Sequence, residues 1–168
     1  MTIPRFYVPG PWTSDRITFP EKASHHAMRV LRMRNGDEAE VFDGEGRTAR
    51  GRTEFSSEGT VLIAESYPEH GRESPLFITL AQAFVSPDKM EWITEKAVEA
   101  GASRIVFFPA ARSVTKLSGD KLTKRLEKLR ATAVSACEYC GRSRFPEREA
   151  FASAEAMLSG LYADARLI

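Results

Sequence analysis

The sequence predicts an α/β fold joined to a small β-barrel, and three observations carry that prediction. Up to about residue 73 the chain reads as short β-type runs separated by turns, with one helix among them. Beyond residue 74, apolar runs of strand length alternate with helical patterns, the arrangement of a parallel sheet. Between the halves lies "PEHGRESP" (68–75), polar and bracketed by prolines, which reads as a linker. The expected division is therefore 1–73 and 74–168.

The elements follow in order. "RFYV" (5–8) and "RITF" (16–19) are brief strands. A helix is expected from about Glu21 to Leu31. At 100° per residue it turns Ala23, Ala27, Val30 and Leu31 to one face and His25, Arg29 and Arg32 to the other. "EAEVF", "DGEG" and "RTARGRTEF" form a hairpin whose turn is supplied by Asp43-Gly44. "TVLIAESY" (60–67) closes the β half. In the second half, "LFITLAQAF" (76–84) is apolar without alternation, which suits a strand covered on both faces. Ser86 and Pro87 then read as N-cap and first helical residue, and Gly101 as the residue that ends that helix. "RIVFF" (104–108) is a second buried strand. A long helix spans Gly119 to Cys140. Its stripe of Leu122, Leu126, Leu129, Ala133, Ala136 and Cys140 faces inward, while Lys121, Lys124, Arg125 and Lys128 face solvent. A short helix near 153–160 leads to "ADARLI" (163–168), expected as a third strand. Open parallel sheets place ligands in the loops beyond the carboxyl ends of their strands. Such a loop would begin at Ile168, where the sequence stops, so the α/β half reads as unfinished.

Composition narrows the classes. Hydrophobic residues make up 42% and charged residues 28%, the values of a globular protein. The longest apolar run, "IVFFPAA", is far too short to span a membrane, and "MTIPRFYVPG" lacks the organisation of a signal peptide. With two cysteines and no disulfide framework, a reducing cytoplasm is the expected compartment. The formal net charge is only +1, yet residues 112–148 hold ten Lys/Arg against four Asp/Glu, which makes a polyanionic partner plausible.

Several stretches could carry chemistry. In "SHHAMRVLRMRNGDEAEVFDGEG" (24–46), the adjacent His25 and His26 point in separate directions, so no metal site is expected. His25, Arg29, Arg32 and Arg34, with the hairpin arginines Arg47, Arg50 and Arg52, make either a phosphate-binding stripe or a solvated face; both readings stand. "CEYC" (137–140) sits at the carboxyl end of a helix, where the dipole disfavours a thiolate, and it has no second pair to complete a zinc site. It reads as packing. Arg112 and Ser113 follow the second buried strand, where α/β proteins keep ligands, and Arg142 and Arg144 project from the turn opened by Gly141. There is no Walker loop, G-x-G-x-x-G, G-x-S-x-G or H-E-x-x-H. A nucleotide-dependent oxidoreductase is set aside for want of the glycine fingerprint.

Taken together, "PRFYV", "HHAMRVLRMRNGDEAEVFDGEG", "ESPLFITLAQAFVSPDKMEWITEKAVEAGASRIVFFPAARSV" and "ACEYCGRSRFPE" resemble, in that order, the RsmE family of ribosomal RNA small-subunit methyltransferases. The resemblance runs from residue 4 to about 148. It implies a PUA-like RNA-binding barrel (1–73), then a SPOUT-type α/β knot methyltransferase domain. It also implies S-adenosylmethionine as methyl donor, N3 of one 16S rRNA uridine as target, and homodimers. The sequence departs from the family pattern at Ala100, Ala111 and Tyr139. The family's G-P-E-G-G loop and final L-R-x-E-T segment have no counterpart in the 168 residues. The knot domain is therefore expected to be partial (74–168). No cofactor-binding residue is assigned within it, since the pocket is expected beyond Ile168; cofactor binding should be weak, and no dimer should form through the knot. On this resemblance Arg112 and Arg142 would stabilise charge on the uracil oxygens and Glu138 would orient one of them, while Arg5, His25, Arg29, Arg32 and Arg34 would hold RNA. The rival reading is a non-catalytic RNA-binding or ribosome-assembly module.

Overall fold

The computed structural model describes residues 3–69, 73–111, 113 and 117–161. The chain divides into two compact units. The first comprises residues up to Glu73 together with Cys137–Phe145, and the second comprises Ser74–Ala136 with the residues from Pro146 onward. The break after residue 73 coincides with the linker; the return of 137–145 to the first unit has no local mark in the sequence.

The first unit is built on a five-stranded sheet in the order β1-β3-β4-β5-β2, formed by β1 (Arg5–Tyr7), β2 (Arg16–Thr18), β3 (Glu38–Phe42), β4 (Thr48–Ser56) and β5 (Gly59–Ser66). β1 runs parallel to β3, and the other pairings are antiparallel. β1 and β2 are the edges of this order, so the described ladders form a sheet and do not themselves close the expected barrel. The hairpin turns where expected. Asp43 Oδ1 accepts the N–H groups of Glu45 and Arg47, and Gly44 takes the left-handed φ of +83° that a side chain would resist. β4 alternates buried Ala49, Gly51 and Thr53 with exposed Arg50, Arg52 and Glu54, the period-two pattern of a half-covered sheet. Phe6, Val8, Ile17, Phe19, Ala27, Ala39, Val41, Ala49 and Leu62 form its core.

The second unit carries a three-stranded parallel sheet, β6-β7-β8, with β6 (Thr79–Ala83), β7 (Arg104–Phe108) and β8 (Glu147–Ala150). α2 (Pro87–Glu99) starts after Ser86 and ends before Gly101, whose φ is +90°. α3 (Gly119–Cys140) buries Leu129, Ala133 and Ala136 of the expected stripe, and α4 spans Ala154–Leu161. Two expectations are corrected. β7 is central and fully buried at Ile105, Val106 and Phe107, but β6 is an edge strand whose residues are not buried. Leu76, Phe77 and Ile78 precede it, exposed. Arg125 does not face solvent freely: it is half-buried against Glu91 at 3.1 Å. The third strand of the described sheet is β8, a segment with no strand pattern in its sequence. The strand expected over 163–168, ending at Ile168, lies outside the described residues, as does any loop that would follow it. Among the described residues no helix is long and apolar enough to cross a membrane.

Candidate nucleic-acid interface

The basic stretch of the first unit is presented by a short helix that changes pitch. α1 (Glu21–His25) is tied down by Ser24, whose hydroxyl accepts the Thr60 N–H at 3.3 Å, and by Ala27, which is fully buried just beyond it. From His26 to Val30 the helix widens into a π turn. The Leu31 N–H reaches the His26 carbonyl, and the Met33 N–H reaches the Ala27 carbonyl, each at 3.0 Å. Arg32 sits between them at φ +54°, left-handed although it carries a side chain. A wider turn takes an extra residue, so a face projected at 100° per residue drifts out of register. Val30 and Leu31, expected inside, are 63% and 44% exposed.

The arginines of the first unit separate into two sets. Arg5 is inside. Its Nε lies 2.6 Å from Glu40, its two terminal nitrogens reach the carbonyls of Cys137 and Arg142 and the Ser143 hydroxyl, and its guanidinium lies over the Phe42 ring. Arg142 is 5% exposed, with two nitrogens on Glu73 Oε2 at 2.9 and 2.8 Å. Glu138 accepts the Tyr7 N–H at 3.0 Å. Three expectations change here. Arg5, expected to hold RNA, is bonded within the unit; Arg142, expected at the uracil oxygens, faces the Glu73 carboxylate; and Glu138, expected to orient an arginine, meets the Tyr7 N–H. Arg50 pairs with Glu40, Arg52 with Glu38 and Glu65, and Arg16 with Glu54. Arg47 lies over Trp12. Arg47 and Arg144 are exposed and form no ion pair with a described residue. The second set, grouped on the helical turn, is His25, Arg29, Arg32 and Arg34. All four are exposed, and none forms an ion pair with a described residue. The base of Arg34 is held by Asp37, whose carboxylate accepts the Arg34 N–H at 2.7 Å. Arg112 lies outside the described residues.

Two residues without a signal in the sequence organise the interior. Glu40 is a buried carboxylate on the face of β3 opposite Ala39 and Val41, between Arg5 and Arg50. Glu73, in the linker, holds Arg142 and also accepts the N–H groups of Ser143 and Arg144 at 2.9 and 3.0 Å. Glu138 is the conspicuous acid near the 141–145 turn in the sequence; nothing local marks Glu73. Phe145 packs against Tyr7 and Phe42, completing the attachment of that turn within this unit. The cysteines belong to the same attachment. Cys137 is fully buried, and burial pushes its thiol up to about 12. Among the described residues no three His, Cys, Asp or Glu gather as metal ligands.

Comparison with known proteins places these units. A family model described as an RNA methyltransferase domain matches residues 72–168, and one described as an RNA methyltransferase PUA domain matches residues 19–64, which include the exposed basic turn. The chain is 34% identical over 124 residues to the ribosomal RNA small subunit methyltransferase E of Bacillus subtilis (strain 168), covering 73% of this chain and 48% of that protein. The protein of the same name from Mycobacterium bovis is 34% identical over 125 residues, covering 72% and 46%. The chain thus spans about half the length of the curated relatives it matches. A Legionella pneumophila methyltransferase solved with bound SAM superposes at TM-score 0.85 and 27% identity, over 99% of this chain and 68% of that one. The Neisseria gonorrhoeae ribosomal RNA small subunit methyltransferase E, bound to S-adenosyl methionine, gives 0.78 and 29%, over 89% and 63%. With two family models in the expected order and relatives of one name, the chain belongs to the RsmE family of RNA methyltransferases.

Proposed function

We propose that the chain serves S-adenosylmethionine-dependent methylation of N3 of a uridine in 16S rRNA. Its first unit (1–73, with the 137–145 turn) holds the RNA, and 74–168 contributes the front of the SPOUT-type transferase half. The observation that carries the RNA role is the separation of the arginines. Those buried or paired hold the fold, while the guanidinium groups of Arg29, Arg32 and Arg34 stand exposed beside His25, clustered on one turn and in no ion pair with a described residue; Arg47, over Trp12, and Arg144, on the 141–145 turn, are the other such exposed arginines named above. Unpaired cations release counterions from phosphates on binding; cations already paired contribute less. The test is the salt dependence of RNA affinity. The double change Arg29→Ala, Arg32→Ala is expected to flatten the log–log slope by about 1.4 to 1.8, roughly 0.7–0.9 for each phosphate no longer neutralised. An unchanged slope overturns this role.

Alkylation at N3 requires loss of the imide proton and stabilisation of negative charge on the uracil oxygens. Arg112 stays the candidate for that charge, because the Arg142 guanidinium is held by Glu73. Among the described residues, the buried side-chain polar atoms without a hydrogen-bond partner are Thr60 Oγ1, Thr94 Oγ1 and Arg104 Nε, none of them at the carboxyl ends of β6, β7 or β8. The donor's pocket is proposed to lie largely outside the described residues. A second reading, a binding or assembly module without transferase activity, is favoured by Arg142, a candidate catalytic cation that instead serves the fold. Methyl incorporation into small-subunit RNA by the 168-residue chain would overturn this second reading.

A further inference from the structure

The turn that carries the unpaired arginines also exposes three large apolar side chains. Met28, Val30 and Leu31 are 38%, 63% and 44% exposed, within four residues of one another and flanked by Arg29 and Arg32. Single exposed apolar residues are ordinary; a contiguous group rimmed by cations marks a contact surface. Fraying does not account for it. The Leu31 and Met33 N–H groups are bonded, Met33 packs on the core, and Arg32 is held in a left-handed conformation directly after a π turn, a departure from regular helix that recurs at functional sites.

We propose that this turn binds unpaired RNA: Arg29, Arg32 and Arg34 hold the phosphates of a single strand whose base faces rest on Met28, Val30 and Leu31. The proposal rests on the RNA role argued above and adds the kind of RNA. A duplex buries its base faces in the stack and offers a protein chiefly phosphates and ribose hydroxyls, so it would leave Val30 and Leu31 wet. An unpaired strand offers charge and apolar faces at the spacing of adjacent nucleotides. A second copy of the chain fits worse, because a two-fold contact through this face would set arginines against arginines.

The experiment measures the affinity of the 168-residue chain for a 12-nucleotide unpaired RNA and for a duplex of matched composition, across a salt series. It is repeated with the double variant Val30→Ser, Leu31→Ser. The expected result is a loss on the order of tenfold for the unpaired RNA, little change for the duplex, and an unaltered salt slope. The melting temperature should hold, because both side chains are exposed. Equal losses on both RNAs, or no loss on either, overturn the proposal. So does a wild-type dimer in sedimentation that the double variant abolishes. Failure of the underlying RNA role reads out separately, as a salt slope that Arg29→Ala, Arg32→Ala leaves in place.

Discussion

Burial alone would raise the Glu73 carboxyl, but the bonds from the Arg142 guanidinium and from the Ser143 and Arg144 N–H groups outweigh it and hold the pKa below its ordinary value of 4.5. A carboxyl depressed by folding stabilises the native state fully above its unfolded value. That contribution fades as pH falls through 4.5 toward the lower folded value. Glu73→Gln removes the charge while keeping the size, and takes the Glu73 carboxylate away from the buried Arg142. Because the Glu73 side chain is partly solvated, the cost at pH 7 is expected to be about 2–3 kcal/mol, below that of a wholly buried pair. Urea unfolding at pH 3, 4, 5 and 7 checks both statements: the gap between wild type and variant should be full at pH 7 and narrow in acid. A gap independent of pH would show that the bonds to Glu73 do not depend on its charge.

At the scale of elements, the hairpin shows how tightly one position can be specified. The β4–β5 register shifts between Arg50 and Gly51, and a Cβ at Gly51 would stand 1.8 Å from the Ile63 carbonyl oxygen and 2.7 Å from its carbon. Backbone cannot yield as a flexible side chain can. Gly51→Ala is therefore expected to cost about 3 kcal/mol, the upper end of overpacking effects, as a lowered urea midpoint with little change in its slope. The same strands show which features are legible in a sequence. The Asp43-Gly44 turn, the Ser86-Pro87 start of α2 and its stop at Gly101, and the buried stripe of α3 announce themselves, because their causes lie within a few residues. β8 does not: "EREA" has no strand pattern, and its place beside β7 is favoured by Arg104, which meets Glu147 and Glu149 from more than forty residues away. The pairing of Glu73 with Arg142 spans 69 residues, further still. The exposed arginine stripe is half legible: its basic residues stand out in the sequence, but the π turn that sends Val30 and Leu31 outward has no signature in a 100° projection.

Over the whole molecule the formal charge of +1 hides how the cations are arranged. The basic segment 112–148 suggests a polyanion-binding surface, yet within it Arg125 and Lys128 meet Glu91, and Arg142 meets Glu73, acids that lie outside the segment. On the outer side of the first sheet, Arg16 is bonded to Glu54, and Arg52 lies between Glu38 and Glu65. A local excess of basic residues thus says little until their partners are known. Binding to a polyanion depends on cations whose fields are not already compensated. This gives the salt experiment its control. Arg16→Ala, Arg52→Ala removes the same formal charge as Arg29→Ala, Arg32→Ala from pairs that are exposed and contribute little to stability, so folding should be preserved. If the unpaired turn is the RNA contact, the paired-arginine variant keeps nearly the wild-type slope and affinity, while the turn variant loses both. Equal losses from the two variants would mean that the RNA responds to net charge alone, and that the separation of paired from unpaired arginines has no bearing on where it binds.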